Sequence, residues 1–248
     1  MSIFDKTKVL GIVSCKGGVG KSTMALNISL TIGNFFNKKV GLFDADIYGP
    51  NHHKLLGIHK KKKFDDFDSL VPESVYNIMS MSMGYFIDDD SAVLLRGPMV
   101  SNTMFYLLNN TKWGDLDYIV IDFPPGTGDV YLNLLKNIKF NGTFLITTPH
   151  DISVQNMKKS LLMLKKFDIP IFGIIENMKY YKCDNCSYIK KIDFGNDLCY
   201  LKNKFNIPYL YEFPFSDKLF KSIPIVVSDP NDSISYKYID IVNNFIFL

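Results

Sequence analysis

A segment rich in glycine and lysine, Ser14 to Thr23, has the residue types and spacing that bind a phosphate chain. Glycines let the backbone approach an anion closely, so that several N–H groups can point at it. Lys21 would reach the β- and γ-phosphates of a nucleotide, and the Ser22 hydroxyl would bind Mg²⁺. The residues predicted to line this nucleotide site are Cys15, Lys16, Gly17, Gly18, Val19, Gly20, Lys21, Ser22 and Thr23.

Two apolar runs further along the chain end in carboxylates. Asp44 and Asp46 follow the run Val40–Phe43, and Asp122 follows the run Tyr118–Ile121. Carboxylates beside a phosphate loop can hold magnesium-bound water or orient the water that attacks the γ-phosphate. Either acidic motif alone is more often an ordinary turn at the end of a strand. In this order after the glycine-rich segment, the two motifs together predict a magnesium–nucleotide site.

A C-x-x-C pair, Cys183 and Cys186, is a third motif with chemical potential. Such a pair can be a redox dithiol, half of a zinc site or part of the ligand set of an iron–sulfur cluster. The thioredoxin-like pattern expected around a redox dithiol is missing, and one chain offers no second pair at ligand spacing. Two chains related by a two-fold axis could supply four thiolates, which suits either zinc or a [4Fe–4S] cluster. Chance proximity of two cysteines is the remaining alternative.

The elements that must position these residues follow from the spacing of apolar side chains. Short apolar runs, as expected for strands covered on both faces, alternate with stretches of helical spacing. This alternation predicts an α/β fold of three layers, with a mostly parallel central sheet flanked by helices. The predicted strands are Val9–Val13, Val40–Phe43, Ile78–Met81, Ala92–Leu95, Tyr118–Ile121, Phe144–Thr147, Ile171–Ile175 and Tyr209–Phe213. The predicted helices are Thr23–Phe36, Met99–Asn109, Val130–Lys136, Ser153–Phe167, Asp197–Phe205 and a docked C-terminal helix within Ile234–Leu248. No linker or internal repeat divides the chain, so we expect one domain over residues 1–248.

Composition narrows the class of protein further. A chain of 248 residues with 47% hydrophobic residues is typical of a globular protein, and a net charge of +3 is too small to indicate nucleic acid by itself. No apolar run reaches the ~18 residues of a membrane span, and the first strand begins too early for a preceding secretory signal. Four cysteines in a chain of this length favour a reducing compartment. We therefore expect a cytoplasmic protein that binds neither nucleic acid nor a membrane.

Two polar segments have the pattern of surface loops. His52 and His53 are adjacent and lack a second cluster at metal-ligand spacing, so we expect both to be exposed. The run from His59 to Asp68 contains lysines followed by aspartates, whose fields largely cancel. This run therefore favours a solvated loop over a nucleic-acid patch.

The phosphate-binding segment carries an additional lysine, Lys16, directly before two glycines. The pattern K-G-G-x-G-K-[ST] resembles the deviant P-loop of the MinD/ArsA-type ATPases. Further motifs narrow the resemblance, namely Asp44–Pro50, Arg96–Met99, Phe123–Asp129 and Glu176–Met178 before the C-x-x-C pair. Together they look like the Mrp/ApbC family of P-loop NTPases, which act as iron–sulfur cluster carriers. The similarity extends from about Lys8 to the region of Pro214.

The resemblance implies a homodimer that sandwiches two ATP molecules and hydrolyses them slowly. Lys16, Lys21 and Asp46 would form the catalytic set, in which Lys16 touches the phosphates of the other subunit's nucleotide and Asp46 orients the attacking water. Asp44 would support the Mg²⁺ shell, and Asp122 would hold the ion through water. The remaining implied contacts are a backbone N–H at Pro125–Gly126 near the γ-phosphate, Asn177 on the adenine, and the segment around Pro214 closing over the base.

By the same resemblance, Cys183 and Cys186 of both subunits would bridge a labile cluster, usually [4Fe–4S], that is passed to apo-proteins. Two other functions stay open. One is a MinD/ParA-like ATPase that organises membrane or DNA cargo, and the other is a zinc-bridged dimeric nucleotide-binding protein. The chain lacks a basic amphipathic tail and has a single arginine, Arg96, which argues against a membrane and, more weakly, against DNA.

Two places in the chain depart from the family pattern, and one further cysteine has no role in it. Cys15 stands where a glycine is usual, and a positive φ there would cost on the order of 1 kcal/mol. We expect it to be a small packed residue rather than an oxidisable thiol. The segment Phe194–Leu198 stands where the family often has a glycine cluster. Cys199 lies in an apolar, helix-like setting and is expected in the core.

Overall fold

The computed structural model describes residues 4, 6–59, 70–87, 97–183, 185–192 and 198–246. Four expectations from the sequence lie partly or wholly outside these residues. They are the strand Ala92–Leu95, the charged run beyond His59, Arg96 of the third family motif, and the segment Phe194–Asp197.

One sheet of nine strands organises the described part of the chain. Its strands are β1 (Lys8–Val13), β2 (Val40–Asp44), β3 (Glu73–Val75), β4 (Ile78–Met81), β5 (Tyr118–Asp122), β6 (Gly142–Thr147), β7 (Ile171–Lys182), β8 (Ile189–Lys191) and β9 (Tyr209–Phe215). Their order is β3-β4-β2-β5-β1-β6-β7-β8, and β9 pairs with β7. Only the pairs β3–β4 and β7–β8 are antiparallel among these strands, so the mostly parallel sheet predicted from the sequence is confirmed.

Helices cover both faces of the sheet. They are α1 (Lys21–Phe35), α2 (His52–Leu55), α3 (Gly97–Asn110), α4 (Asp129–Asn137), α5 (Asp151–Lys166), α6 (Leu198–Lys204), α7 (Ile225–Ser228) and α8 (Ser233–Asn243). One hydrophobic cluster joins α3 to α6 with one face, and a second joins α1, α7 and α8 with the other. Val9 contributes to the first cluster and its neighbour Leu10 to the second, because successive side chains of a strand point to opposite faces. This arrangement confirms the three-layer α/β fold.

The predicted strands and helices that fall on described residues are all present, with small shifts at their ends. Strands β3 and β8 and helices α2 and α7 were not predicted, because each has only three or four residues. The C-terminal helix docks on α1 as expected, where Tyr238 donates to the sulfur of Met24. None of the helices in the described part of the chain has the length and apolar character that crossing a membrane requires.

The carboxyl ends of β1, β2 and β5 bring the predicted nucleotide motifs to one edge of the sheet. In the parallel register, Asp122 pairs with Ile12 of β1 on one side and with Asp44 of β2 on the other. The loop after β1 therefore starts beside Asp122, and Asp44 lies one strand further along the same edge of the sheet. Ligands of open parallel sheets bind outside this edge.

Candidate functional site

The phosphate loop connects β1 to α1, and its backbone requires glycine at two positions. Gly18 and Gly20 have φ angles of 78° and 86°, in the left-handed region that favours glycine. At Gly20 a Cβ atom would also lie 2.4 Å from the side-chain amide nitrogen of Asn177. Gly20 caps α1, a helix of 15 residues whose N-terminus presents its positive dipole end.

A cleft of about 300 Å³ opens at this loop. It brings together most of the residues that the sequence predicted for phosphate binding and adds residues of α2. Its lining includes Lys16, Gly17, Gly18, Gly20, Lys21, Ser22, Thr23, Asp46, Asn51, Lys54 and Pro125. Val19 is buried beneath the loop, and the side chain of Lys16 is exposed at the mouth of the cleft. The backbone and the donor set fit a polyphosphate, because cations and a helix N-terminus converge on one cavity.

Lys21 connects the cleft to two buried titratable side chains, Asp122 and His52, which do not line the cleft themselves. The ammonium of Lys21 donates to Oδ1 of Asp122, and Nε2 of His52 lies 3.0 Å from Oδ2 of the same carboxylate. Asp122 and His52 are fully buried, and Lys21 is 7% exposed. Burial raises the pKa of Asp122, but the charge of Lys21 and the hydrogen bond from His52 outweigh burial and lower this pKa to about 2. Asp122 is therefore ionised at neutral pH.

The expectation that His52 and His53 are exposed is wrong. Both lie in α2 and are buried, with exposed fractions of 0% and 5%. The backbone N–H groups of Asn51 and His52 point at the Asp44 carboxylate, which draws the start of α2 onto the end of the sheet. Burial lowers the pKa of His52, but the nearby charges of Asp44 and Asp122 outweigh burial and raise it. One sequence signal was available, since His52 follows two strand-end carboxylates by only a few residues.

Asp44 and Asp46 have different surroundings. Asp44 is buried, and its two oxygens accept hydrogen bonds from Asp46 N at 3.1 Å, Asn51 N at 3.1 Å and Ser82 Oγ at 2.9 Å. Asp46 faces the cleft and accepts from Gly49 N at 3.0 Å, and burial raises the pKa of its carboxyl. The geometry gives Asp44 the role of holding the turn after β2, whereas Asp46 can meet a ligand.

The second loop of the site follows β5. Pro125 is exposed and lines the phosphate cleft, and Gly126 has a φ of 84°. This placement brings a short backbone turn to the edge of the phosphate cleft. Loops of this kind respond to a γ-phosphate in other nucleotide-dependent proteins.

The predicted adenine contact, Asn177, lies behind the phosphate loop. Its side-chain nitrogen donates to Val19 O at 2.9 Å, while its buried Oδ1 has no hydrogen-bond partner among the described residues. Pro214 and Phe220 close a small cleft over Asn177 and Gly20. A buried acceptor without a partner costs free energy, so it fits a polar ligand group arriving from this cleft.

The C-x-x-C pair occupies the loop of the antiparallel hairpin β7–β8. Cys183 N donates to Tyr188 O, and Ser187 N donates to Cys183 O, both at 2.9 Å. Cys183 is half-buried and Cys186 is exposed, and neither forms a disulfide. The hairpin also exposes Tyr188. The two thiols therefore lie on a protruding loop next to apolar surface.

The other two cysteines differ in their surroundings. Cys15 does not have a positive φ, and its half-buried thiol packs against Ser160 and the carbonyl of Asn156 on α5. Burial raises the pKa of the Cys15 thiol, which agrees with a packed residue. Cys199 is exposed, so the expectation that it lies in the core is wrong. In α6 it is Leu198 and Leu201 that face the core, and Cys199 points away.

Comparisons with known proteins agree with this geometry. The iron-sulfur cluster carrier protein of Escherichia coli K12 is 37% identical over 235 residues, which make up 93% of this chain and 63% of that protein. A solved nucleotide-binding protein from Archaeoglobus fulgidus, in complex with ADP, has a TM-score of 0.77 and 29% identity over 94% of this chain and 92% of its own. The cell division ATPase MinD of Pyrococcus furiosus has a TM-score of 0.70 at 20% identity, covering 97% and 98% of the two chains, which shows the fold alone.

A family model extends these matches to almost the whole length of the chain. It is described as ParA, NUBPL iron-transfer P-loop NTPase, and it matches residues 5–246. The resemblance predicted from the phosphate loop, the strand-end carboxylates and the C-x-x-C pair is thereby confirmed. This chain belongs to the ParA family of NUBPL iron-transfer P-loop NTPases.

Proposed function

We propose that this protein is an ATP-binding, slowly ATP-hydrolysing carrier that holds an iron–sulfur cluster between two subunits and transfers it to apo-proteins. The observation that carries the proposal is that two neighbouring clefts share one wall. Pro214, Phe215 and Ser216 line both the small cleft over Asn177 and a second cleft of about 440 Å³ beside Cys183. We propose that residues 1–248 form one domain. In this domain a nucleotide and a cluster bound by the cysteines would both contact residues 214–216.

The nucleotide half of the proposal follows from the phosphate cleft. The loop N–H groups and Lys21 would bind the phosphates, and Asn177 would bind the base. Mg²⁺, when bound with ATP, would neutralise the developing charge of the transferred phosphoryl group. Ser22 would hold this ion and Asp122 would hold its water. Asp46, which faces the cleft, would orient the attacking water.

The exposed side chain of Lys16 supports a role across a dimer interface. It lies at the mouth of the phosphate cleft, whereas Lys21 is buried inside. An exposed lysine can reach a second subunit because its ammonium stands at the end of a flexible four-carbon side chain. In a two-fold dimer, the Lys16 of each subunit would meet the nucleotide of the other. Hydrolysis would then depend on dimer geometry.

The cargo half of the proposal follows from the hairpin. One chain presents two thiols at C-x-x-C spacing, and a [4Fe–4S] cluster takes four thiolate ligands. Two hairpins facing each other across a two-fold axis supply that set. An exposed loop also suits transfer, because an apo-protein must reach the cluster with its own thiolates. These thiols require a reducing compartment, which is why we propose a cytoplasmic location.

Strand β7 provides the physical connection between the two halves. Asn177 lies on this strand and Cys183 directly follows its last residue, so the two are six residues apart, which is at most about 20 Å of chain. Pro214 of β9 pairs with Tyr180 between them. ATP binding at Asn177 and Pro214 would therefore bias the position of the hairpin, which is the relation that a nucleotide-dependent carrier requires.

The relatives support this function without defining it fully. The Escherichia coli protein with the carrier name is longer than this chain, which spans 63% of its length. The likeness to MinD is one of fold and does not favour a membrane or DNA organiser. A zinc-bridged dimer is the competing function that the exposed thiols themselves would permit.

Anaerobic purification and reconstitution with iron and sulfide tests the proposal. Iron, sulfide and zinc are quantified per dimer for the wild type, for the double variant Cys183→Ala with Cys186→Ala, and for Cys199→Ala as a control at another exposed cysteine. We expect about four iron atoms per dimer in the wild type and the control, and a loss of most iron in the double variant. A double variant that holds as much iron as the wild type would contradict the proposal. Zinc in place of iron after anaerobic purification would favour the zinc-bridged dimer.

A further inference from the structure

The Asp122 carboxylate is divided between two side chains, and only one of them belongs to the phosphate-loop motif. Lys21 donates to Oδ1, and His52, which the motifs did not indicate, lies 3.0 Å from Oδ2. All three groups are buried. Each carboxylate oxygen therefore has its own partner.

Lys21 cannot keep its present contact when ATP binds. The lysine of a phosphate loop reaches the β- and γ-phosphates, so its ammonium must turn away from Oδ1 of Asp122. That movement leaves Oδ1 available to a water molecule of the nucleotide's Mg²⁺. It also removes the ion pair that compensates a fully buried carboxylate, which is costly unless another donor remains. His52 is the donor that remains on Oδ2.

The backbone around His52 is fixed independently of Lys21. The N–H groups of Asn51 and His52 point at Asp44, which also accepts from Ser82 Oγ at 2.9 Å. The ring of His53 packs directly on Gly84, where an added Cβ would lie 2.1 Å from Nδ1. Helix α2 is therefore held on both sides, and the imidazole of His52 has little freedom to follow Asp122 if that carboxylate rotates.

A separate metal site is the other reading of this cluster, because ligand atoms of Asp44, His52 and Asp122 lie within 4.8 Å of one another. The hydrogen bonds argue against it. Both oxygens of Asp44 accept from protein donors, and Asp122 is already neutralised by the Lys21 ammonium. The oxygens of both carboxylates are thus occupied by protein donors, and positioning is the role that the contacts support.

We propose that His52 is a positioning residue that keeps the Asp122 carboxylate directed at the nucleotide's Mg²⁺ once Lys21 has moved to the phosphates. This inference rests on the ATP–magnesium part of the proposed function. It gives a buried histidine outside the family motifs a defined task. The effect is confined to the magnesium-dependent part of nucleotide binding, because His52 does not line the phosphate cleft.

The test compares nucleotide affinity with Mg²⁺ and with EDTA, measured with a fluorescent ATP analogue. His52→Leu removes the donor, and His52→Gln restores an N–H at the position of Nε2. We expect His52→Leu to bind the analogue in EDTA as the wild type does, but to lose about 10-fold of the affinity that Mg²⁺ adds, as is typical when a group behind a metal ligand is removed. His52→Gln should recover most of this loss.

His59→Gln is the control for a histidine-to-glutamine change, since His59 is exposed, lies outside α2 and does not line the phosphate cleft. It should keep the full magnesium effect. If His52→Leu does not fold, His52→Asn replaces it, because the shorter amide cannot reach Oδ2. A folded Leu or Asn variant with the wild-type magnesium effect would overturn the inference, as would equal losses in the His52→Gln or His59→Gln protein. A wild type that binds no nucleotide at all would instead overturn the proposed function.

Discussion

The phosphate-loop region and the cysteine hairpin are built in opposite ways. In the first, Lys21, Asp44, His52 and Asp122 are buried and hydrogen-bonded to one another or to the backbone. In the second, Cys186 is exposed, and the neighbouring Tyr188 is 67% exposed. The loop of this hairpin is held in place by backbone hydrogen bonds between its two sides. The two regions nevertheless share the wall formed by residues 214–216.

This difference indicates which region is complete within one chain. A buried set of donors held by one chain can bind a small ligand with only local rearrangement, such as the turn of Lys21 towards the phosphates. Exposed thiols and aromatic side chains can be buried only by something outside the chain, such as a cluster, a second subunit or a client. Substitutions in the two regions should therefore change different measurements, and three predictions test that separation.

The largest effect is expected for Lys21→Ala. The variant removes the ammonium that would contact the β- and γ-phosphates, and losing a buried charged contact of this kind costs several kcal/mol, so nucleotide affinity should fall by at least ~100-fold. Titration with a fluorescent ATP analogue measures this loss. Iron content after reconstitution without nucleotide should not change, because the hairpin thiols lie outside the phosphate cleft.

Lys16→Ala is the comparison for that experiment. Its side chain is exposed, and exposed charges contribute little to binding within one chain, so its affinity should fall by less than ~10-fold. Equal losses in the two variants would mean that burial does not distinguish the two lysines. A joint loss of nucleotide and iron in Lys21→Ala would mean that the two regions do not act separately.

A second, smaller effect is expected for Gly20→Ala. The residue has a φ of 86°, and the new methyl group would lie 2.4 Å from the Asn177 amide. Together these should lower the free energy of unfolding by about 2 kcal/mol, measured by urea denaturation. The shift of Asn177 should also weaken nucleotide binding.

Gly17→Ala provides the matched control in the same loop. A Cβ at Gly17 would meet no atom within 4 Å, and its φ is not in the left-handed region. We expect its free energy of unfolding to stay within ~0.5 kcal/mol of the wild type. Similar destabilisation by both alanines would show that the loop does not discriminate between its glycines in the way that the structure indicates.

The sequence predicted the phosphate-loop region well because local patterns determine much of it. Strands β1 and β5 are continuous apolar runs that are buried on both faces, and the glycines precede a helix of regular spacing. The burial of His52 could not be predicted in this way. It depends on Asp122, which lies 70 positions away in the sequence, and on a turn that Asp44 holds through backbone N–H groups.

The hairpin region was predicted less completely, for a different physical reason. Strand β8 has only three residues, all exposed, and it pairs only with the last three residues of β7. No apolar pattern marks such a strand. The prediction that Cys199 lies in the core was wrong because α6 has only seven residues. So short a helix does not show from its sequence which face is buried, and in the structure that face is formed by Leu198 and Leu201.

The smallest change in stability is expected for substitutions in the exposed hairpin. Tyr188 and Ile189 are 67% and 50% exposed, so replacing both with serine should alter the free energy of unfolding by less than ~0.5 kcal/mol. If this apolar surface packs against a second subunit around the cluster, the same variant should shift the cluster-loaded protein from dimer to monomer. Analytical ultracentrifugation under anaerobic conditions, with iron-loaded and apo samples, measures that shift.

Leu162→Ser is the control for the loss of exposed apolar surface, because Leu162 is 53% exposed on α5. It should leave both stability and dimer formation unchanged. A hairpin variant that loses several kcal/mol of stability would mean that these side chains pack within their own chain, and the contrast between the two regions would fail. A stable variant that still dimerises as tightly as the wild type would place the subunit contact elsewhere. Only unchanged folding together with weakened, cluster-dependent dimerisation agrees with a thiol loop that a second subunit completes.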